Sequence, residues 1–302
     1  MPSSLPDSVR WLLEPVILLR AFYLAAAALV TSQPPSPILA IQLLHPLRNR
    51  FLVYGSREAI SASSSGPQAA TEKRSSTVDQ LLDSLASLRV PHGYFTHFYL
   101  VSCLSTVAWG STIGLSNMCQ GVQLAWLLMM LQGIRRLLES YAYMSSSKST
   151  MWIGHWVLGV LFYLTVNVAI WIEDVPDSEG SQKPSFRVML VAPAILISQA
   201  LQHSYHAYLY RLRTSHSTYQ LPCHPLFPSL LCPHYTCEIL IYLLMAFLAV
   251  PTPKQVNWTL LCATALVAVN LGVTASGTKV WYEQRFGADK VRSRRRMIPW
   301  LW

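Results

Sequence analysis

Three short segments place proton donors and cations where they could do chemistry. Phe95-Thr96-His97-Phe98-Tyr99 holds an imidazole and a phenol two residues apart. Both can hydrogen-bond an oxygen on which negative charge develops. The plainer reading is an aromatic belt at a membrane interface, with His97 reaching toward water. In Leu131-Gln132-Gly133-Ile134-Arg135-Arg136-Leu137-Leu138-Glu139, Arg135 and Glu139 lie four apart and share a helix face. The two guanidinia either anchor a helix on the positive side of a bilayer or form a fork that grips a phosphate. Gln202-His203-Ser204-Tyr205-His206 runs on to Arg211 and Arg213. Its His pair could share a metal, but membrane di-iron oxygenases need several such boxes and no second one occurs. Cys223-His224 with Cys232 and His234 has unusual spacing for zinc, so no metal is expected. GxGxxG, Walker, GxSxG and HExxH patterns are absent, so a bound nucleotide would sit outside the common soluble folds.

The elements that must position these residues are apolar helices. Apolar residues make up 52% of the 302 and charged residues only 12%, a charge deficit that argues for a surface facing lipid. Hydrophobic runs long enough to cross a bilayer predict an all-α, polytopic membrane protein with about seven spans: 11–30, 94–116, 121–144, 151–172, 187–209, 235–250 and 257–278. The sixth stops at Pro251 and Pro253. The first carries Glu14 and Arg20 and lacks a small-residue cleavage site, so it reads as a membrane helix and not as a leader. The net charge of +9 is distributed between the runs, which favours a topology signal over nucleic-acid binding. With seven spans, eighteen Lys and Arg fall on one side: Arg48, Arg50, Arg57, Lys73, Arg74 and Arg89 in the first loop, Arg135, Arg136 and Lys148, then Arg211 and Arg213, and seven from Lys279 onward. Four fall on the other (Arg10, Lys183, Arg187, Lys254), beside the acidic Glu173, Asp174, Asp177 and Glu179. That asymmetry puts the C-terminus in the cytosol. Ser61 to Ser76 is polar and reads as a disordered insertion. The six scattered cysteines form no CxxC pair and read as reduced. Two regions follow: 1–92, a first membrane helix with a long, partly disordered cytosolic loop, and 93–302, a six-helix membrane domain with a basic tail.

Four motifs resemble the steroid 5α-reductase family, most closely its polyprenol (polyprenal) reductase branch. Val90-Pro91 with Phe95 to Tyr99 is similar to the branch's VP..(W/F)(S/T)HFY, and Leu131 to Leu137 to its LQGLRRL. Pro233-His234-Tyr235-Thr236-Cys237-Glu238-Ile239-Leu240-Ile241-Tyr242 resembles PNYxxE(I/L)xxY. Lys279 to Phe286 and Arg294 to Trp302 resemble the ending (H/Q)xWYxxKF…RKxxxPFxF. A fainter echo lies at Phe51-Leu52-Val53-Tyr54-Gly55. The chain departs from the pattern at His234 (Asn), His224 (Gly), Tyr210-Arg211-Leu212-Arg213 (GNLR) and Lys290-Val291 (YP), and keeps only Gln202 and His206 of HQxxCH. Where the steroid branch places a Tyr over its enone, this chain has Gln132, which argues against a steroid.

The resemblance implies NADPH-dependent reduction of an activated C=C bond in the endoplasmic reticulum membrane, with the cytosolic basic clusters beside the NADPH supply. Hydride adds to an alkene only if the resulting carbanion is delocalised. A polyprenol lacks that sink and its aldehyde has one, so the expected reaction is polyprenal to dolichal, in support of protein N-glycosylation. The long isoprenoid tail would run out into the bilayer, and no obligate protein partner is expected. By the same resemblance, His97, Tyr99 and Gln132 would act on the carbonyl oxygen. Arg135, Arg213 and Arg294 would hold phosphates, and Gln202, His206, Glu238 and Tyr282 would position nicotinamide and ribose. The rival readings are another enone reductase, a membrane methyltransferase of the isoprenylcysteine type, and a scaffold or transporter without enzymatic activity.

Overall fold

A computed structural model describes residues 14–31, 84–85, 87–144, 149–173, 186–250 and 254–299. The expectations for Arg10, Arg48, Arg50, Phe51 to Gly55, Arg57, Ser61 to Ser76, Lys73, Arg74, Lys148, Asp174, Asp177, Glu179, Lys183, Pro251, Pro253 and Trp300 to Trp302 lie outside the described residues.

Among the described residues, seven long helices overlap the seven apolar runs: α1 (Pro15–Thr31), α2 (Phe95–Thr112), α3 (Gln120–Ala142), α4 (Ile153–Trp171), α5 (Phe186–Thr214), α6 (Pro233–Leu248) and α7 (Trp258–Phe286). A short α8 (Ala288–Arg292) follows. By length and composition α4, α5 and α7 are apolar enough to cross a membrane, while α1 and α6 are shorter apolar helices. Arg135 and Arg136 fall within α3, not in the connection after it. Local chemistry sets several ends. Pro233 opens α6, where its missing N–H costs nothing. The Asn257 side chain caps α7 by accepting from the Leu260 amide at 2.9 Å. Gly114, at φ 62°, takes the left-handed turn between α2 and α3 that a Cβ would disfavour.

The helices alternate in direction, so the starts of α2, α4 and α6 and the ends of α3, α5 and α7 share one end of the bundle. α5 packs on α6, α7 on α1 and α6, and α2 on α3 and α4. Tyr23, Ala125, Met129, Val166, Ile195, Ile241, Met245, Leu260 and Ala263 form the dry core between them. Large apolar side chains such as Leu104, Val107, Leu138, Leu164, Met189 and Ile197 point outward. Such an apolar exterior suits lipid.

The all-α expectation missed a small feature with a positional consequence. β1 (Arg89–Pro91) pairs antiparallel with β2 (Thr150–Trp152), in the register Arg89 to Trp152 and Pro91 to Thr150. This clip ties the start of α2 to the start of α4, fixing the aromatic segment that follows Pro91. At the other end of the chain, the Leu231 and Cys232 amides donate to the Arg295 and Arg296 carbonyls at 3.0 and 2.8 Å. The basic tail is thereby pinned beside the start of α6.

Candidate functional site

At the shared end of the bundle the polar motifs close into one network. Glu139 is buried, at 4% exposure, and lies at its hub. Its carboxylate accepts from both Arg135 and Arg136, and Nδ1 of His203 and of His206 approach it at 2.7 and 2.8 Å. Arg135 also donates to Gln132 Oε1 at 2.7 Å and to Gln202. Gln132 Nε2 donates to Gln202 at 3.0 Å and to Glu238 at 3.3 Å, and Gln202 donates to Glu238 as well. Both arginines pair with Glu139, whereas Glu238 is held by the Gln132 and Gln202 amides.

Arg136 carries this network to the aromatic segment. It donates to the Tyr99 hydroxyl, and its guanidinium lies 4.6 Å from the ring centroid. With its oxygen already accepting from a cation, the Tyr99 phenol has its proton left to give.

A cavity of about 290 Å³ opens beside this network. Its polar end is formed by Tyr99, Arg136, Gln202, His206, His234 and Glu238, and its apolar flank by Phe98, Leu158, Phe162, Leu266, Val267 and Leu271. The lining follows helix periodicity: His155, Leu158, Gly159, Phe162 and Tyr163 make one face of α4. Gly159 leaves room for Phe98, since a Cβ there would lie 2.5 Å from that ring. A second cavity of about 310 Å³ is lined by Leu209, Arg213, His216, Tyr219, Gln220 and Tyr282. Gln202, His206, Leu209 and Arg213 lie on one face of α5, which joins the two cavities over an axial rise of about 16 Å.

The structure brings Tyr99, Gln132, Arg135, Gln202, His206 and Glu238 together. Arg213 and Tyr282 meet at the second cavity. Arg294 lies in the pinned tail, with its Nη1 buried and without a hydrogen-bond partner among the described residues. His97 stands apart: its ring packs on Tyr94 at 4.4 Å and Trp156 at 6.1 Å, outside the cavity lining. Arg135 gives its two Nη groups to Glu139, Gln132 and Gln202, while its buried Nε has no hydrogen-bond partner among the described residues. The sequence offers Arg136 with Arg135 as a possible phosphate fork and Glu139 as a partner on the same helix face, but gives neither a place beside the cavity. His234 and Tyr242 stand inside quoted motifs without a role in reduction, whereas Tyr163 lies in an apolar run that gives no sign of it.

The departures at His224 and His234 have structural partners. His224 sits among Tyr205, Tyr208 and Phe227, and its Nδ1 accepts from the Leu226 amide at 3.1 Å. Burial lowers its pKa, which keeps the ring in the neutral form that this bond needs. His234 stacks on Tyr205 at 5.2 Å and lines the first cavity. All six cysteines are free.

A fit to a dinucleotide rests on these donors. Arg213 makes no ion pair among the described residues, and the Arg294 Nη1 is orphaned, so both can receive an anion. The α5 face leads from them to the polar end of the first cavity.

Residues 140–302 match the family described as 3-oxo-5-alpha-steroid 4-dehydrogenase. The chain is similar to a polyprenal reductase of Saccharomyces cerevisiae, with 27% identity over 225 residues, covering 72% of this chain and 78% of that protein. It is also similar to polyprenal reductase 2 of Oryza sativa subsp. japonica, at 26% identity, covering 72% and 81%.

Proposed function

Because the chain belongs to the steroid 5α-reductase family, in its polyprenal reductase branch, we propose that it reduces the α-unsaturated aldehyde of a long polyisoprenoid, polyprenal to dolichal, with NADPH. The observation that carries this reading is the two-faced cavity. One end presents Tyr99, backed by Arg136, and the other end is lined by leucine, valine and phenylalanine.

The chemistry follows from charge. An enal that takes hydride at its β carbon pushes an electron pair onto its carbonyl oxygen. A donor waiting at that oxygen lowers the barrier, because it is already oriented in a site that excludes water. Tyr99 is that donor, and Arg136 supports the charge at one remove. NADPH would supply the hydride. Arg213 and Arg294 would hold its phosphates, and Gln202, His206, Glu238 and Tyr282 would position its nicotinamide and ribose. Arg135 and Gln132 hold Gln202 and Glu238 in place. The apolar flank offers the first isoprene units a wall, and the tail would continue into the bilayer.

The membrane setting of the proposal is seven spans in the endoplasmic reticulum with the C-terminus cytosolic. It is supported by the seven helices, by the outward-facing apolar side chains and by the eighteen-to-four split of Lys and Arg. Dolichol made from the product would serve protein N-glycosylation.

The test is NADPH oxidation by the purified protein offered polyprenal, polyprenol or a 3-oxo-4-ene steroid. Oxidation with polyprenal alone is the expected result. Turnover of polyprenol without an oxidising enzyme would remove the aldehyde requirement, and turnover of the steroid alone would move the substrate class.

A further inference from the structure

Two further phenols line the cavity beside Tyr99, and the reading above gives them no role. Tyr163 of α4 and Tyr242 of α6 both face the space between the polar end and the apolar flank. Tyr242 is 1% exposed, and among the described residues its buried hydroxyl has no hydrogen-bond partner. A buried hydroxyl left this loosely held is uncommon, because desolvation without a bond is costly. The Tyr163 ring stands edge-on to Tyr99, with centroids 5.7 Å apart. Tyr242 packs edge-on to Phe162 at 5.5 Å. The site therefore holds one phenol fixed by a cation beside another that is not.

Reduction of an enal needs two such groups. One stabilises the carbonyl oxygen. The other delivers a proton to the α carbon, which lies two bonds from that oxygen, so the two donors must be neighbours. We infer that Tyr163 protonates the α carbon of the substrate and that Tyr242 is its positioning and relay residue. This rests on the enal-reductase reading and extends it.

The balance is as follows. The substrate reaches this step as an enolate, its β carbon having taken hydride, two electrons included, from a dihydronicotinamide. As the C=O bond re-forms, the enolate's electron pair makes a C–H bond at the α carbon with the Tyr163 proton. The Tyr163 O–H bond breaks and leaves a phenolate. Tyr242 donates to that phenolate, which stabilises it, and water restores the missing proton once the product leaves. Tyr99 keeps its own proton on the carbonyl oxygen throughout.

The proton step can be read without the nucleotide. By microscopic reversibility the protein alone should exchange the α hydrogens of a branched aldehyde saturated between its α and β carbons, citronellal, in deuterated water. With nucleotide, reduction of citral in the same solvent should set deuterium at the α carbon on one face only. Tyr163→Phe should cut the exchange at least about tenfold, within the usual worth of a positioned proton donor. It should also scramble the deuterated face, because an enol released from the site is protonated by solvent from either side. Tyr242→Phe should slow exchange and keep the face, a split that loss of fold alone would not give. Exchange and facial selectivity unchanged in both variants would overturn the assignment. If wild-type protein reduces no enal at all, the reading of the function falls and takes this step with it. Wild-type enal reduction with unaltered Phe variants would sink only the role of the phenol pair.

Discussion

The two ends of the bundle each bury a glutamate against arginine, and the surroundings of the two carboxylates differ. At one end, Glu173 Oε1 takes Arg20 Nη2 at 2.8 Å, the Thr259 amide at 2.7 Å and the Thr259 hydroxyl at 2.6 Å. Arg20 Nε turns back to the same Thr259 hydroxyl at 3.1 Å. The interactions close on themselves, tie α1 to the end of α4 and the start of α7, and line neither cavity. At the other end, Glu139 and its two arginines reach Tyr99, Gln202, His206 and Glu238, and those four line a cavity. A closed knot of charge holds helices together. A network with one edge open to a cavity has polar groups left to act on something else.

Several substitutions test that contrast. The largest effect is expected from Glu139→Ala, which strips the shared carboxylate from two arginines and two imidazoles. Removing one partner of a buried pair typically costs about 3–5 kcal/mol. Misplacing groups around the site by about 1 Å can cost roughly 100-fold in rate. Turnover and thermal unfolding should therefore both fall. Full turnover in Glu139→Ala would show that the network does not organise the cavity.

Tyr99→Phe comes next and should separate chemistry from packing. It keeps the ring under Arg136 and removes the proton. The expected loss is about 100- to 1000-fold in kcat, the usual worth of one donor to a developing oxyanion. The KM for NADPH and the Tm should stay near wild type. A Tyr99→Phe enzyme with normal kcat would assign the carbonyl oxygen to a different donor.

Glu173→Ala should do the reverse. It leaves the Thr259 amide and the Arg20 guanidinium without their acceptor, a loss of about 1–3 kcal/mol for an unsatisfied buried donor. The Tm should drop by several degrees, and kcat per folded molecule should stay within about twofold, as for changes remote from a site. A large fall in kcat at unchanged Tm would mean that the far end is coupled to the chemistry.

The same knot should give a smaller, pH-dependent signal. Burial on its own would raise the Glu173 carboxyl, but the bonds from Thr259 and Arg20 outweigh it and hold the group below its usual value. A carboxyl depressed in the folded state contributes stability that is fully present above the unfolded value of about 4.3, and loses it as pH falls through the folded value. The Tm should therefore decline more steeply below about pH 4.3 in wild type than in Glu173→Gln. Parallel curves would remove Glu173 from the acid sensitivity.

Much of this was legible from the chain. The seven apolar runs mark the helix starts within about four residues, because length and hydrophobicity decide what a helix can bury or expose, while α5 and α7 run on past them to Thr214 and Phe286, where the sequence turns polar. Gln132, Arg135, Gln202, His206 and Glu238 stood out as polar side chains in apolar runs, a placement that requires partners. Other features were hidden for physical reasons. The β1–β2 clip is three residues long on each strand, too short for a period-2 pattern to register. Tyr163 and Tyr242 are apolar by most of their surface, so only the fold shows that both line one cavity. Arg135 reads as a phosphate ligand until its three side-chain acceptors are seen.

His97 offers the smallest expected effect and a sharp test of motif-reading against placement. By motif it sits beside Tyr99 and shares its promise as a donor. By helix geometry the two residues are about 200° apart around α2, so they cannot both face one cavity. Tyr99 faces it, and His97 packs between Tyr94 and Trp156 at the other side of the helix start. His97→Ala should therefore change kcat and the KM for polyprenal by no more than about twofold, with the modest loss of stability usual for a half-buried surface ring. Steady-state kinetics beside Tyr99→Phe, in the same lipid and at the same NADPH concentration, give the comparison. If His97→Ala costs as much as Tyr99→Phe with its Tm intact, then the imidazole swings into the cavity when substrate binds. The face of α2 that does the chemistry would then be wider than this arrangement shows.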